Sequence, residues 1–269
     1  MNLFKGLSNY GDYLEKNPFH QELDISLEEY GELDKKIVRD SYLSVDPENI
    51  IPFSAELDDL IRLHYLVTSR KVTTVLEIGV GKSTIVLDHA LEQNKQNYGD
   101  FVKKNLRRTN PFECHSIDNN EKWIDTAKSI FPDTKNITYH HCLCRVATFN
   151  SRICTLYDSF PNICPDLIYL DAPDQFSPIG DIRGISTNHP DRLPMSADIL
   201  TIEHFLLPGT LIVVDGRTAN ARFLKTNLQR DWVYSHSQEY DQHFFELKEA
   251  PLGVYNQRQV EFCLGKDWA

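Results

Sequence analysis

Val72-Thr73-Thr74-Val75-Leu76-Glu77-Ile78-Gly79-Val80-Gly81-Lys82-Ser83-Thr84 is the stretch from which the rest of the chain can be read. A β-branched and apolar run ends on an acid, Glu77. A Gly79-x-Gly81 turn follows, then a Ser83-Thr84 pair suited to starting a helix. Beyond it Ile85, Val86, Leu87, Ala90 and Leu91 recur with helical spacing. The order strand, glycine turn, helix is the unit that binds nucleotide-like ligands at the carboxyl end of the strand. Glycines there allow close backbone approach and a positive φ.

Two nucleotide motifs fit this turn incompletely. A phosphate-binding loop needs its first glycine at position 76, which is Leu76. The dinucleotide fingerprint needs a third glycine at position 84, which is Thr84. Neither explains Glu77. The acid followed by Gly79-Val80-Gly81 resembles motif I of the class I S-adenosylmethionine (SAM) dependent methyltransferases, with Ser83 where a third glycine is usual. A serine can also cap the helix that starts there. The resemblance implies that Glu77, Gly79, Gly81, Ser83 and Thr84 form the cofactor turn.

The remaining chain follows in order. Residues 112–118 read as a second strand ending in Asp118, and Asn119 comes next. An acid at this strand end is placed to accept hydrogen bonds from ribose hydroxyls, and the resemblance assigns that role to Asp118. As a bland alternative, Asp118 only caps the following helix. Its separation from Glu77 exceeds the roughly 20 residues of the compact motif. The excess lies in a polar insertion, residues 94–111. Further strands fit 136–142, 165–171 and 209–215, the last two as near-continuous apolar runs ending in Asp171 and Asp215. Such runs suit central parallel strands covered on both faces. Residues 232–236 and 243–247 read as strands six and seven, an antiparallel hairpin by the resemblance, with 260–264 as a competing seventh or extra edge strand. The expected fold is therefore α/β. It is a Rossmann-like, doubly wound, mostly parallel seven-stranded sheet with an antiparallel C-terminal strand and an N-terminal helical extension. The resemblance covers roughly residues 55–248. The expected division is an N-terminal extension, 1–54, and a methyltransferase domain, 55–269. In the extension, 23–38 has a partly helical pattern, and Ser54 is a candidate N-cap for a helix over 55–69.

With 269 residues and 41% hydrophobic content, the chain can build one sizeable core. The net charge of −11 argues against a nucleic-acid partner. The basic cluster Lys103-Lys104-Asn105-Leu106-Arg107-Arg108 reads as a solvated face, or more sharply as a dock for an anionic substrate. No membrane-length apolar stretch and no secretory signal are visible, so a cytoplasmic location without a membrane partner is expected. The six cysteines are then expected to be reduced. His140-His141-Cys142-Leu143-Cys144 lacks the usual paired spacing of a zinc site. Cys142 or Cys144 is read instead as lying beside the adenine end of the pocket, because the third strand ends there.

The chemistry is expected beyond strand four. Residues 172–194 show no clear element and carry many prolines and charges. A connection of that length is often functional, and it reads as a substrate lid. Asp174, Arg183 and Arg192, with Arg217 after strand five, are the candidate acceptor contacts, suited to a polar small molecule. Asp171, His189 and Asp215 are the candidate catalytic groups, one of them a general base for a hydroxyl nucleophile. Related metal-dependent O-methyltransferases place a divalent cation on acids at these strand ends. By that resemblance Asp171 and Asp215 are candidate metal ligands, with Asp174 or Asn220 completing the set. Capping and turn chemistry alone is the bland reading of both acids. The segment Val214-Asp215-Gly216-Arg217-Thr218-Ala219-Asn220-Ala221-Arg222-Phe223 resembles methyltransferases of bacterial surface-polysaccharide pathways, which implies a sugar or sugar-phosphate acceptor. An NAD-linked oxidoreductase and a non-catalytic nucleoside-binding module are the rival readings. A homodimer is compatible with all three.

Overall fold

The computed structural model describes residues 3–21 and 57–268. The expected helical pattern over 23–38 and the Ser54 cap lie outside the described residues. In chain order the elements are α1 (Tyr10–Lys16), a 3-10 turn (Phe19–Gln21), α2 (Leu57–Ser69), β1 (Thr74–Ile78), α3 (Lys82–Asn105), β2 (Glu113–Asp118), α4 (Glu121–Ile130), β3 (Ile137–His141), β4 (Cys144–Phe149), β5 (Arg152–Tyr157), β6 (Leu167–Leu170), α5 (Asp198–Ile202), a second 3-10 turn (Glu203–Phe205), β7 (Leu211–Asp215), α6 (Thr218–Asn227), β8 (Trp232–Ser237), β9 (Gln242–Leu247) and α7 (Val254–Leu264).

Seven strands form one sheet in the order β3-β2-β1-β6-β7-β9-β8. Only β9 runs against its neighbours, so the sheet is Rossmann-like and mostly parallel. Alternation along each strand builds the two layers. Leu76, Ile78, Ile168, Leu170, Ile212 and Val214 point to one face, packed with Leu224 of α6. Val75, Leu167, Leu211 and Val213 point to the other, packed with Leu66 and Val67 of α2 and with Leu87 and Leu91 of α3. Each such side chain contributes about 1.5–3 kcal/mol when fully buried. That gain is available on both faces of β1, β6 and β7, which is why these three read as unbroken apolar runs. The chain winds outward from β1 to β3, then returns to β6 on the other side of β1. The crevice at the carboxyl ends of β1 and β6 is therefore the topological switch point.

Residues 3–21 lie across α2. The Phe4 ring meets Tyr65, Tyr240 and Phe244. The Tyr13 hydroxyl bonds His64 Nδ1 at 2.6 Å.

Three sequence expectations change. The insertion begins as helix, because α3 continues to Asn105, with Lys103 and Lys104 in its last turn facing the negative end of the helix dipole. Residues 260–264 are the end of a helix, not a strand; Gly253 and Gly265 bound it, both at positive φ. A two-stranded hairpin, β4–β5, stands outside the main sheet where no element was expected. Its turn residues Asn150 and Ser151 both have positive φ, the mirror-image turn that suits a two-residue hairpin loop.

Candidate functional site

The first strand brings Glu77 to the base of the glycine turn, where its carboxyl is fully buried. Ser83 Oγ, Thr84 Oγ1 and Ser116 Oγ donate to it at 2.6, 2.7 and 2.5 Å. Burial pushes its pKa up to about 7, against the pull of the three hydroxyls. Glu77, Ser83 and Thr84 therefore face inward and shape the turn; their polar atoms are spent on one another. Thr84 Oγ1 also accepts the Gly81 N–H at 3.1 Å, closing the start of α3.

The two glycines of the turn differ. Gly79 has φ +112, and a Cβ built on it would lie 2.9 Å from Ala172 Cβ and 3.1 Å from the Asp171 carbonyl group. The protein itself thus demands glycine at 79, because the turn presses on the backbone leaving β6. Gly81 has extended backbone, φ −166. A Cβ there would meet nothing nearer than Ser83 Oγ at 3.9 Å. Among the described residues no protein atom explains its missing side chain, which leaves a clear approach to the start of α3.

Asp118 ends β2 with both oxygens engaged. Val80 N–H donates to Oδ2 at 2.9 Å and Asn120 N–H to Oδ1 at 2.7 Å. Burial raises its pKa, opposed by these N–H groups. A carboxylate has about four acceptor positions, so Asp118 holds the glycine turn against β2 and keeps capacity for further donors. Asn119 beside it accepts Ser177 Oγ at 3.4 Å, linking β2 to the connection after β6. Cys144 does not reach this crevice: it is fully buried in the core, and burial drives its thiol pKa upward. The reading of Cys144 as an adenine contact is therefore withdrawn.

At the carboxyl end of β6, Asp171 is half-exposed and pairs with Arg217 Nε at 3.1 Å. Arg217 Nη1 also donates to the Pro173 carbonyl at 2.7 Å. The fold thus brings two of the expected residues together from the ends of β6 and β7. Asp215 is engaged elsewhere. Its Oδ2 accepts the Tyr169 hydroxyl at 2.5 Å and its Oδ1 accepts Gln242 Nε2 at 3.1 Å. Gln242 in turn accepts Arg62 Nε at 3.4 Å, and Arg62 donates to the Tyr10 hydroxyl at 2.9 Å. This chain of contacts ties Asp215 to the N-terminal segment. A metal centre on Asp171 and Asp215 is not assembled: among the described residues neither belongs to a cluster of three acidic, histidine or cysteine ligands. A guanidinium already sits on Asp171, and Asn220 is spent on the Ser196 backbone, accepting its N–H and donating to its carbonyl.

The connection from 172 to 197 is tied to the β4–β5 hairpin by backbone bonds at two points. Ile179 donates to the Cys144 carbonyl at 2.8 Å and accepts Val146 N–H at 3.0 Å, flanking β4. Ala197 N–H donates to the Thr155 carbonyl at 3.0 Å, flanking β5. The segment clasps the hairpin from both sides. Arg183 stands at an exposed turn with Gly184, both at positive φ. Asp174 is exposed and accepts Phe176 N–H at 2.8 Å. Arg192 Nη1 donates to the Ser186 carbonyl at 3.0 Å. His189 is exposed, and its Nδ1 accepts Asp191 N–H at 3.1 Å. These are bonds within one loop.

Two features escaped the sequence. Within the basic cluster Lys103, Lys104 and Arg107 are exposed, whereas the Arg108 side chain is buried at the end of the sheet opposite the glycine turn. There it pairs with Asp166 at 3.0 Å and donates to Thr73, Thr74 and the Cys164 carbonyl. Tyr157, at the end of β5, has a buried hydroxyl with no hydrogen-bond partner among the described residues. Burial drives its pKa well upward, and Asp118, Asp198 and Arg217 lie near enough to act on it. An orphaned buried donor of this kind calls for an explanation.

No protein-family model matches the sequence, and no curated protein matches it. Among solved structures the chain is similar to an SAH-bound methyltransferase of Podospora anserina, at 12% identity and TM-score 0.45, over 83% of this chain and 87% of that one. It is also similar to the SAM-bound O-methyltransferase TomG of Streptomyces achromogenes, at 14% identity and TM-score 0.39, over 90% and 100%. A third is an SAH-bound O-methyltransferase of Bacillus cereus, at 12% identity and TM-score 0.39, over 90% and 100%.

Proposed function

We propose that this chain is a SAM-dependent O-methyltransferase acting on a small polar acceptor, such as a sugar or sugar phosphate. The observation that carries the reading is the pair of glycines: the protein requires Gly79, while among the described residues nothing accounts for the missing side chain of Gly81. A cradle that a Cβ would fill is what a ligand laid against the start of α3 needs. The surrounding charge favours SAM over a dinucleotide. Glu77 lies buried beneath the first turn of α3 and Asp118 behind Val80. An acid beneath a helix N-terminus opposes a pyrophosphate there, whereas SAM carries a sulfonium and an ammonium group. This argues against the NAD-linked oxidoreductase.

The chain's own residues then divide the work. Asp118 holds the turn and offers its remaining acceptor positions to ribose hydroxyls, with Asn119 alongside. Tyr157 supplies a donor with no hydrogen-bond partner among the described residues. When bound, SAM supplies an electrophilic methyl group for in-line displacement by an acceptor oxygen. Asp171, at the switch point, takes the proton of the acceptor hydroxyl. Arg217 orients Asp171 and provides positive charge for an anionic acceptor. Alignment of the acceptor oxygen is the main contribution such a site makes.

The partner is a small molecule rather than a nucleic acid or a membrane, the location is cytoplasmic, and a homodimer is compatible with the site. Among the described residues no helix is long and apolar enough to cross a membrane. The test is transfer of label from methyl-labelled SAM to a panel of sugars and sugar phosphates. Labelled product that disappears in Asp171→Asn supports the reading. Tight SAM binding with no transfer to any hydroxylated acceptor would leave a binding module instead.

A further inference from the structure

The β8–β9 hairpin holds a group of side chains that the methyl-transfer reading does not use. His236 and His243 are cross-strand partners, and their rings stack at 4.0 Å with an interplanar angle of 9°. Asp241 sits two positions before His243 in the turn, at φ +46. One ligand atom from each of His236, Asp241 and His243 lies within 4.8 Å of the other two. We propose that His236, Asp241 and His243 form a binding site for a transition-metal cation of the zinc class, which fastens the hairpin to the turn after β7.

Two imidazoles and one carboxylate are the donor set that suits Zn²⁺ and its first-row neighbours rather than Mg²⁺ or Ca²⁺. His243 is the buried member of the group, while His236 and Asp241 are exposed. His243 also has the supporting contacts that orient a ligating ring. Its Nδ1 bonds the Tyr234 hydroxyl and its Nε2 the Thr218 hydroxyl, each at 3.0 Å. Metal binding at one nitrogen displaces one hydroxyl and leaves the other to fix the tautomer. Ligand atoms around a tetrahedral zinc are about 3.3 Å apart, so the group must close slightly. The stacked rings also require one imidazole to turn. His236 and Asp241 are exposed and supply both adjustments. The Asp241 carbonyl accepts Gly216 N–H at 2.9 Å, so a cation here pins residues 215–217. Arg217, the partner of Asp171, stands on that turn.

The test uses tag-free, chelator-dialysed protein and Co²⁺ as the spectroscopic probe, followed by Zn²⁺ competition. One Co²⁺ per chain with intense visible ligand-field bands, displaced by Zn²⁺, is expected. His236→Ala and Asp241→Asn, both at exposed positions, should weaken it by roughly tenfold or more while circular dichroism stays unchanged. Absence of stoichiometric bands would overturn the proposal. So would equal affinity in both variants, which would place the ion elsewhere, for instance on the cysteines.

Discussion

Replacing the two glycines of the turn one at a time, each by alanine, separates what the protein needs from what a ligand needs. At Gly79 the added methyl enters a backbone region that L-residues rarely occupy, φ +112, and meets Ala172 Cβ at 2.9 Å. The conformational penalty is about 1–3 kcal/mol. Overpacking against the Asp171 carbonyl group, 3.1 Å away, adds about 1–3 kcal/mol. The combined loss of about 2–6 kcal/mol corresponds to a melting temperature lower by about 4–12 °C, at roughly 2 °C per kcal/mol in a chain of this size. At Gly81 the backbone is extended and the nearest atom lies at 3.9 Å. Gly81→Ala should therefore leave stability within about 0.5 kcal/mol of the parent. If a ligand lies against the start of α3, the same methyl strikes it, and S-adenosylhomocysteine affinity falls about tenfold or more, matching a clash of ~1–3 kcal/mol. Differential scanning calorimetry reads the first effect and isothermal titration calorimetry the second. If Gly81→Ala binds S-adenosylhomocysteine normally, or if it melts as early as Gly79→Ala, the division between the two glycines is refuted.

Three other outcomes follow from the same geometry. Glu77 has a folded-state pKa of about 7 against an ordinary 4.5, so the folded state holds the proton more tightly. Its protonated form favours folding, and the parent should lose about 3 kcal/mol as pH rises from 4.5 through 7. Glu77→Gln should flatten that part of the stability–pH curve, and an unaltered curve from urea melts would contradict the assignment. Asp118→Asn retains an oxygen for one of the two N–H bonds but removes the charge; S-adenosylhomocysteine affinity should fall by about 1.5–3 kcal/mol, and an unchanged titration would remove Asp118 from the ligand site. Asp171→Asn should lower turnover about 10²-fold with little change in cofactor affinity, and the parent's turnover should not require Mg²⁺, since Asp171 pairs with Arg217; activity that depends on added Mg²⁺ would show the base assignment to be wrong.

The main sheet was legible because its physics is local. A strand buried on both faces must be apolar throughout, and β1, β6 and β7 announce themselves that way. The acids at their ends and the bare turn at 79–81 could be placed from the order of elements alone. What escaped depended on partners distant in sequence. Glu77 resembles a ligand residue until Ser116, brought in by β2, completes its set of donors. Arg108 resembles a surface charge until Asp166 of the strand-six entry meets it. The ties of the 172–197 connection could not be read because they are backbone bonds to β4 and β5, which no side-chain pattern reveals. The hairpin itself did leave a signal. Cys144, Val146 and Ala147 flank exposed Arg145, and Asn150-Ser151 is a plausible mirror-image turn, but the segment is short and partly polar. Residues 260–264 were ambiguous for the usual reason: a short apolar run has no period of its own, and the bounding Gly253 and Gly265 decide for helix.

Calorimetric titration of the purified chain with S-adenosylhomocysteine and, separately, with NADH sets the whole reading at risk. Binding of S-adenosylhomocysteine at one per chain, with a low-micromolar constant of about −8 kcal/mol, and no heat with NADH is the expected result. Saturable binding of NADH with none of S-adenosylhomocysteine would contradict it, and would mean that the start of α3 receives a pyrophosphate despite Glu77 beneath it.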